Sequence, residues 1–193
     1  MMPLWIKCAY TLFVCVLVPV YLRKHGAANF LWFSDIALLT TVATLWSESS
    51  LLASMMALGV TLPELAWNVG FFGRLIFGRD VTGLAGYMFD AERPLYLRGL
   101  SLFHVFLPVL LLWLVKRLGY DRRALLAQTL LMIAVLTVTY LATDPKQNIN
   151  WAFGPGVKPQ AWMPAPTYLA LLMVSFFLIA YLPAHLLFLK LFS

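Results

Sequence analysis

Four residues of this chain have the chemistry of a reactive site: Ser34, Asp35, Glu64 and His104. A serine hydroxyl is a poor nucleophile until a base takes its proton, and an imidazole titrates in the right range to be that base. A carboxylate can then orient the ring. Asp35 adjoins Ser34, so on a helix the two side chains point ~100° apart. Asp35 could therefore orient His104 only with the imidazole lying between them, and Glu64 is the alternative. Glu64 has Leu62 and Leu65 nearby, which leaves His104 or an arginine such as Arg98 as its mate. The chain contains no G-x-S-x-G elbow, phosphate-binding glycine loop, zinc-ligand spacing or dinucleotide fingerprint. The chemistry is therefore expected to need no metal and no organic cofactor.

The elements that must hold these residues are read from composition. Of 193 residues, 62% are apolar and 11% charged, and the mean hydropathy is +0.85. Soluble domains average roughly 45–50% apolar and ~25% charged, so a soluble domain is excluded, and disorder with it. The net charge of +6 comes from Lys and Arg beside apolar runs, which speaks against a nucleic-acid-binding face. The apolar runs are Leu4–Leu22, Ala28–Trp46, Leu51–Phe72, Leu95–Val115, Ala124–Ala142 and Thr167–Leu191. Each can cross ~30 Å of hydrocarbon as a helix, whereas strands would leave backbone groups unpaired in lipid.

The expected fold is all-α, a single polytopic membrane bundle of six spans with both termini on one side. Within the connector Gly73–Pro94, the apolar piece Val81–Phe89 has the size of a short interfacial or re-entrant helix. Leu4–Leu22 reads as a retained first span rather than a removed leader. Cys8 and Cys15, two turns and ~10 Å apart on that helix, are too distant to bridge and are expected to be packed core thiols. Trp5, Tyr21, Trp46, Tyr96, Trp113 and Tyr168 lie at span ends, where rings suit the headgroup region. The Lys and Arg residues divide too evenly between the two faces to fix an orientation.

Depth sharpens the candidate site. Call the face reached after the first span the B side and the opposite face the A side. Ser34 and Asp35 should lie ~10 Å below the B side, Glu64 and His104 ~12 Å, and Asn68 ~6 Å, by the helical rise. Thr139 and Tyr140 close the fifth span on the same side. In the A-side half, Thr41, Thr44 and Ser54 can bond back to carbonyls of their own helices. Ionisable groups in hydrocarbon ordinarily face a bundle interior or a wet cavity, so this asymmetry predicts a polar cavity opening to the B side. Pro63 and Pro108 support it, since a proline frees the carbonyl four residues earlier, for Pro108 that of His104 itself. The late Pro/Gly-rich connector Asp144–Pro166 is too apolar for a solvated linker and is expected to cap the cavity, with Asn148 and Asn150 turned inward.

Three stretches carry a resemblance. Asn29-Phe30-Leu31-Trp32-Phe33-Ser34-Asp35-Ile36 is similar to the second-span motif of the androgen-induced family of transmembrane hydrolases. Leu100–Leu112, with His104 four before Pro108, resembles that family's His-x-x-x-Pro-type helix, and Trp151-Ala152-Phe153-Gly154-Pro155-Gly156 its late Gly-Pro-Gly loop. Those enzymes cleave esters of hydroxy fatty acids with an intramembrane Thr and His. Leu31-Trp32-Phe33-Ser34-Asp35 also resembles the apolar-His-apolar-Cys-Asp stretch of the integral membrane group that includes a Cys/His phospholipid acyltransferase. That group's late Asn…Lys-Pro…Pro loop is similar to Asn148 through Lys158-Pro159 to Pro164 and Pro166. The combined resemblance covers about residues 26–168. Trp32 stands where the hydrolases carry their Thr and the second group its motif His, so only His104 carries over directly and Ser34 is the substitute nucleophile.

The combined expectation is a lipid-directed acyl hydrolase or acyltransferase of a bacterial inner membrane, with a membrane lipid as substrate or ligand. Ser34 would attack, His104 would act as base, and Asp35 or Glu64 would orient the ring. The alternatives are an accessory or binding membrane protein whose polar cluster is structural, and a proton-coupled transporter in which Asp35, Glu64 and His104 form a relay. The lack of an internal repeat counts against the transporter, because many carriers are built from inverted halves.

Overall fold

The structure, a computed structural model, describes residues 1–156 and 158–192. Among them the chain is helical throughout, with no strand. Its helices are α1 (Leu4–His25), α2 (Phe33–Ser47), α3 (Ser50–Phe77), α4 (Leu95–Leu100), α5 (Phe103–Leu118), α6 (Ala124–Ala142), α7 (Ala165–Ser175) and α8 (Leu182–Phe192). By length and apolarity α1, α3, α4–α5, α6 and α7–α8 can each cross a membrane, and α2 is a shorter apolar helix beside them. This is a multi-pass membrane bundle.

α3 is the hub, packing against α2, α5 and α6 and touching α8. Its ends are well made. Ser49 accepts from the Leu52 amide at 3.3 Å to cap the start, and Gly78 at φ +71° ends it with a bond back to Arg74. Leu38, Leu45, Ala53, Ala57, Leu107, Leu111 and Leu136 fill the space around it.

The second and fourth spans depart from regular helix on the B side. The second span does not run as one α-helix from residue 28. Ala27–Leu31 is a 3-10 turn, Trp32 breaks away in an extended conformation, and α2 proper starts at Phe33. That start puts Ser34 and Asp35 in a first helical turn, where backbone amides are free. The fourth span breaks at Ser101–Leu102, between α4 and α5. The sixth contains a π-helical segment, Phe176–Tyr181, between α7 and α8.

Several local expectations change. Val81–Phe89 is no helix of its own; only Gly86–Phe89 forms a 3-10 turn. That connector folds back on α3, where Trp67 packs with Ala85 and Met88 in a small second core. Gly70 makes the approach feasible, since a Cβ there would collide with the Thr82 hydroxyl and the Asp80 carboxylate. Cys8 and Cys15 are exposed on the outer face of α1 rather than packed inside, because Tyr10, Val14 and Leu17 take the inward stripe. Trp5, Trp46 and Tyr96 are exposed as a headgroup belt requires, but Tyr21 and Tyr168 are buried. Their hydroxyls explain why: Tyr21 is hydrogen-bonded to Ser101 Oγ at 2.8 Å, and Tyr168 donates to the Trp151 carbonyl at 3.0 Å.

Candidate active site

A cavity of about 450 Å³ opens among the B-side ends of α1, α2, α3 and α5 and the two long connectors. Its size is that of a small-molecule site. Ser34, Asp35, Glu64 and His104 all line it.

Glu64 and His104 form its firmest contact. His104 Nδ1 lies 2.8 Å from Oε2 and 3.0 Å from Oε1 of Glu64, and Glu64 is only 2% exposed. With the carboxylate accepting, a proton sits on Nδ1, and in the neutral ring Nε2 is then the nitrogen that carries the lone pair. Arg98, the other partner considered for Glu64, reaches the Met88 carbonyl instead at 3.2 Å. The ring is held on both faces, by Trp67 at 4.7 Å and Phe103 at 4.0 Å between centroids. Its backbone is held as well. Asn68 Nδ2 donates to the His104 carbonyl at 2.7 Å and to the Glu64 carbonyl at 2.8 Å. The first of these is the acceptor that Pro108 releases.

Asp35 occupies a different wall. Asn29 Nδ2 donates to its Oδ2 at 3.1 Å, while Oδ1 is buried and finds no partner among the described residues. Asp35 makes no hydrogen bond to His104, so Glu64 is the group that orients the imidazole. Ser34 is partly exposed to the cavity. α2 and α5 touch, but no hydrogen bond joins Ser34 to His104. The amides of Ser34 and Asp35, in the first turn of α2, donate to no acceptor among the described residues.

The late connector fixes that turn. Trp32 precedes α2 and has no capping oxygen, so Asn150 supplies one from across the bundle. Its Oδ1 accepts from the Phe33 amide at 3.1 Å and its Nδ2 donates to the Leu31 carbonyl at 2.7 Å. Asn148 holds the loop to itself, donating to the Gly154 carbonyl at 2.9 Å and accepting from the Phe153 amide at 2.9 Å. Both asparagines are buried and adopt positive φ, +43° and +52°. Gly154 is needed beneath them, because a Cβ there would meet the Lys158 carbonyl at 2.8 Å and the Gln160 amide at 2.6 Å. Trp151, from the same loop, completes the cavity wall.

The chain matches no family model, no curated protein and no solved structure. The site is therefore read from its own geometry.

Sequence reasoning missed two groups that belong to it. Trp67 stacks on His104 and lies three residues after Glu64, on the same helical face, a spacing that signals the pairing. Tyr87, from the folded-back connector, lines the cavity against Trp67, and burial pushes its phenol up to about 12, so it stays a neutral hydroxyl. No periodic signal marks it, because a single 3-10 turn, Gly86–Phe89, is too short to show a period. At the mouth, Arg93 is exposed, lies 5.2 Å over the Tyr87 ring and is 3.8 Å from Asp90.

Proposed function

We propose that the protein is a lipid-directed acyl hydrolase or acyltransferase of a bacterial inner membrane, with Ser34 as nucleophile, His104 as base and Glu64 as the group that orients it. The observation that carries this reading is the Glu64–His104 pair at 2.8 Å, which reserves Nε2 for the cavity that Ser34 also lines. A carboxylate–imidazole pair facing a hydroxyl is the recurring arrangement of acyl-transfer sites on unrelated folds.

The substrate's acyl group enters laterally from the bilayer. Ser34 Oγ bonds to the acyl carbonyl carbon as His104 Nε2 takes the hydroxyl proton. The negative charge that builds on the carbonyl oxygen falls within reach of the α2 amino end, where the Ser34 and Asp35 amides are free donors. Nε2 then returns its proton to the leaving alcohol, and the acyl–oxygen bond to that alcohol breaks. A water or a second alcohol releases the acyl group from Ser34 by the same steps in reverse. Ser34 and His104 must close to ~3 Å, or to one bridging water, when substrate is bound, since catalytic hydrogen bonds are often loose before binding.

A serine-directed acylating probe bearing an alkyl chain tests this. The expected result is stoichiometric labelling of Ser34, lost in His104→Ala. Labelling that persists in Ser34→Ala would overturn the assignment.

A further inference from the structure

Asp35 is the least compensated group in the cavity. It is 4% exposed, Asn29 satisfies one of its oxygens, and the other is buried without a partner among the described residues. Natural structures leave few buried polar atoms unpaired, and an unpaired one at a cavity wall points to a ligand. A carboxylate oxygen asks for a donor.

The absence of a cation beside Asp35 among the described residues says which donor. Asp35 and Glu64 both line the cavity, and His104 contacts Glu64 alone. Arg93 is the one guanidinium on the lining, and it sits exposed at the mouth over Tyr87 and beside Asp90. No ion pair reaches Asp35 among the described residues. The cavity is also lined by Trp32, Trp151, Tyr21 and Tyr87, and aromatic rings attract cations most strongly where water is excluded. The Trp67 indole N–H, also buried and without a partner among the described residues, belongs to a residue of the same lining and can donate to an ether or carbonyl oxygen.

We infer that the cavity binds an amphiphile whose polar end is a primary amine in its ammonium form, donated to Asp35 Oδ1. Resting on the acyl-transfer reading, this makes the substrate an acyl ester of a short amino alcohol. Ser34 and Asp35 are adjacent, so the amine at one residue and the acyl carbonyl at the other can be only a few atoms apart. A neutral hydroxyl would satisfy the oxygen but bring no cation to the carboxyl group and the aromatic walls, and is the less complementary head.

Three inert ethers separate these cases: decyl 2-aminoethyl ether, decyl 2-hydroxyethyl ether and decyl 2-methoxyethyl ether. None contains an ester, so binding is read without turnover. With the full chain in phosphatidylcholine nanodiscs, saturable rises in the thermal midpoint give the affinities. The amine is expected to bind about tenfold tighter than either neutral ether, the scale of a desolvated cation on aromatic faces together with a charged hydrogen bond. Asp35→Asn should abolish that preference. Should Asp35→Asn fail to fold, Trp32→Leu should narrow the preference by weakening the amine alone. Equal binding of the three heads to the unmodified protein, or an amine preference that survives Asp35→Asn, would overturn the inference. Amine-selective binding without ester cleavage would sink the catalytic reading and leave this one standing. Ester cleavage with no amine preference would do the opposite.

Discussion

The side-chain amide of Asn68 donates, at 2.7 Å, to the carbonyl of His104, the backbone acceptor on α5 that Pro108 has deprived of its helical donor. One residue of α3 thus repairs a break in α5 and, in doing so, fixes the height of the imidazole beside Glu64.

That repair predicts a conditional phenotype. Asn68→Leu strands a buried carbonyl and should cost about 1–3 kcal/mol of unfolding free energy in detergent micelles. Pro108→Ala returns an N–H to the helix, so Asn68→Leu should cost much less in that background. Equal losses in both backgrounds would show that Asn68 acts through something else.

Breaking the Glu64–His104 pair should be expensive whichever single partner is removed. Glu64 is 2% exposed, and removing one partner of a buried pair typically costs about 3–5 kcal/mol. Glu64→Ala and His104→Ala should each destabilise, and the double variant should cost less than their sum by about 0.5–3 kcal/mol. Strict additivity in chemical unfolding would mean that the pair is not coupled.

For turnover, the expectation is different in kind. Residues that work as a unit are grossly non-additive, so Ser34→Ala, His104→Ala and the double change should lose ester cleavage to about the same extent. Cleavage of a lipid ester by folded His104→Ala at the unmodified rate would end the assignment of a base to that position.

On the A side, acid should loosen the start of α1. The Lys7 ammonium, with the Met2 amide, donates to Glu48 at 2.8 Å and holds its carboxyl below the usual range. A carboxyl lowered in the folded state stabilises fully above its unfolded value, ~4.3 for glutamate, and that contribution vanishes as pH falls through the folded value. Lys7→Gln should therefore lower the thermal midpoint slightly at neutral pH and not at strongly acidic pH, and added salt should shrink the difference. A Lys7→Gln effect independent of pH would point to the Lys7 ammonium over the Trp46 ring instead.

What could be read from the residues, and what could not, divides along physical lines. Long apolar runs and intramembrane charges declare themselves, so the all-helical bundle and the gathering of Ser34, Asp35, Glu64 and His104 on one cavity were legible. So was the carbonyl released by Pro108, because proline's effect on the residue four before it is local. The start of α2 was not, since its helical conformation depends on Asn150, more than a hundred positions away. Nor was the choice between Asp35 and Glu64 as orienting group, which turns on how α3 is rotated against α5. Tyr21 and Tyr168 were misplaced because ring composition suits a headgroup belt as well as a buried hydroxyl contact.

The π-helical stretch Phe176–Tyr181 divides the last span into two independent phases. In unbroken α-helix those two residues would face ~140° apart. Here Phe176 lines the cavity and meets Phe33 edge-on, while Tyr181 is fully buried and accepts from Gln128 at 3.3 Å. Further along, His185 is hydrogen-bonded to Tyr120 at 2.8 Å. The two halves of this helix therefore answer to different neighbours, and the loosened turn between them absorbs the mismatch. Mutational drift that reshapes the cavity wall through Phe176 can proceed without re-registering the opposite end, which gives this small bundle a way to vary what it holds while conserving how it stands.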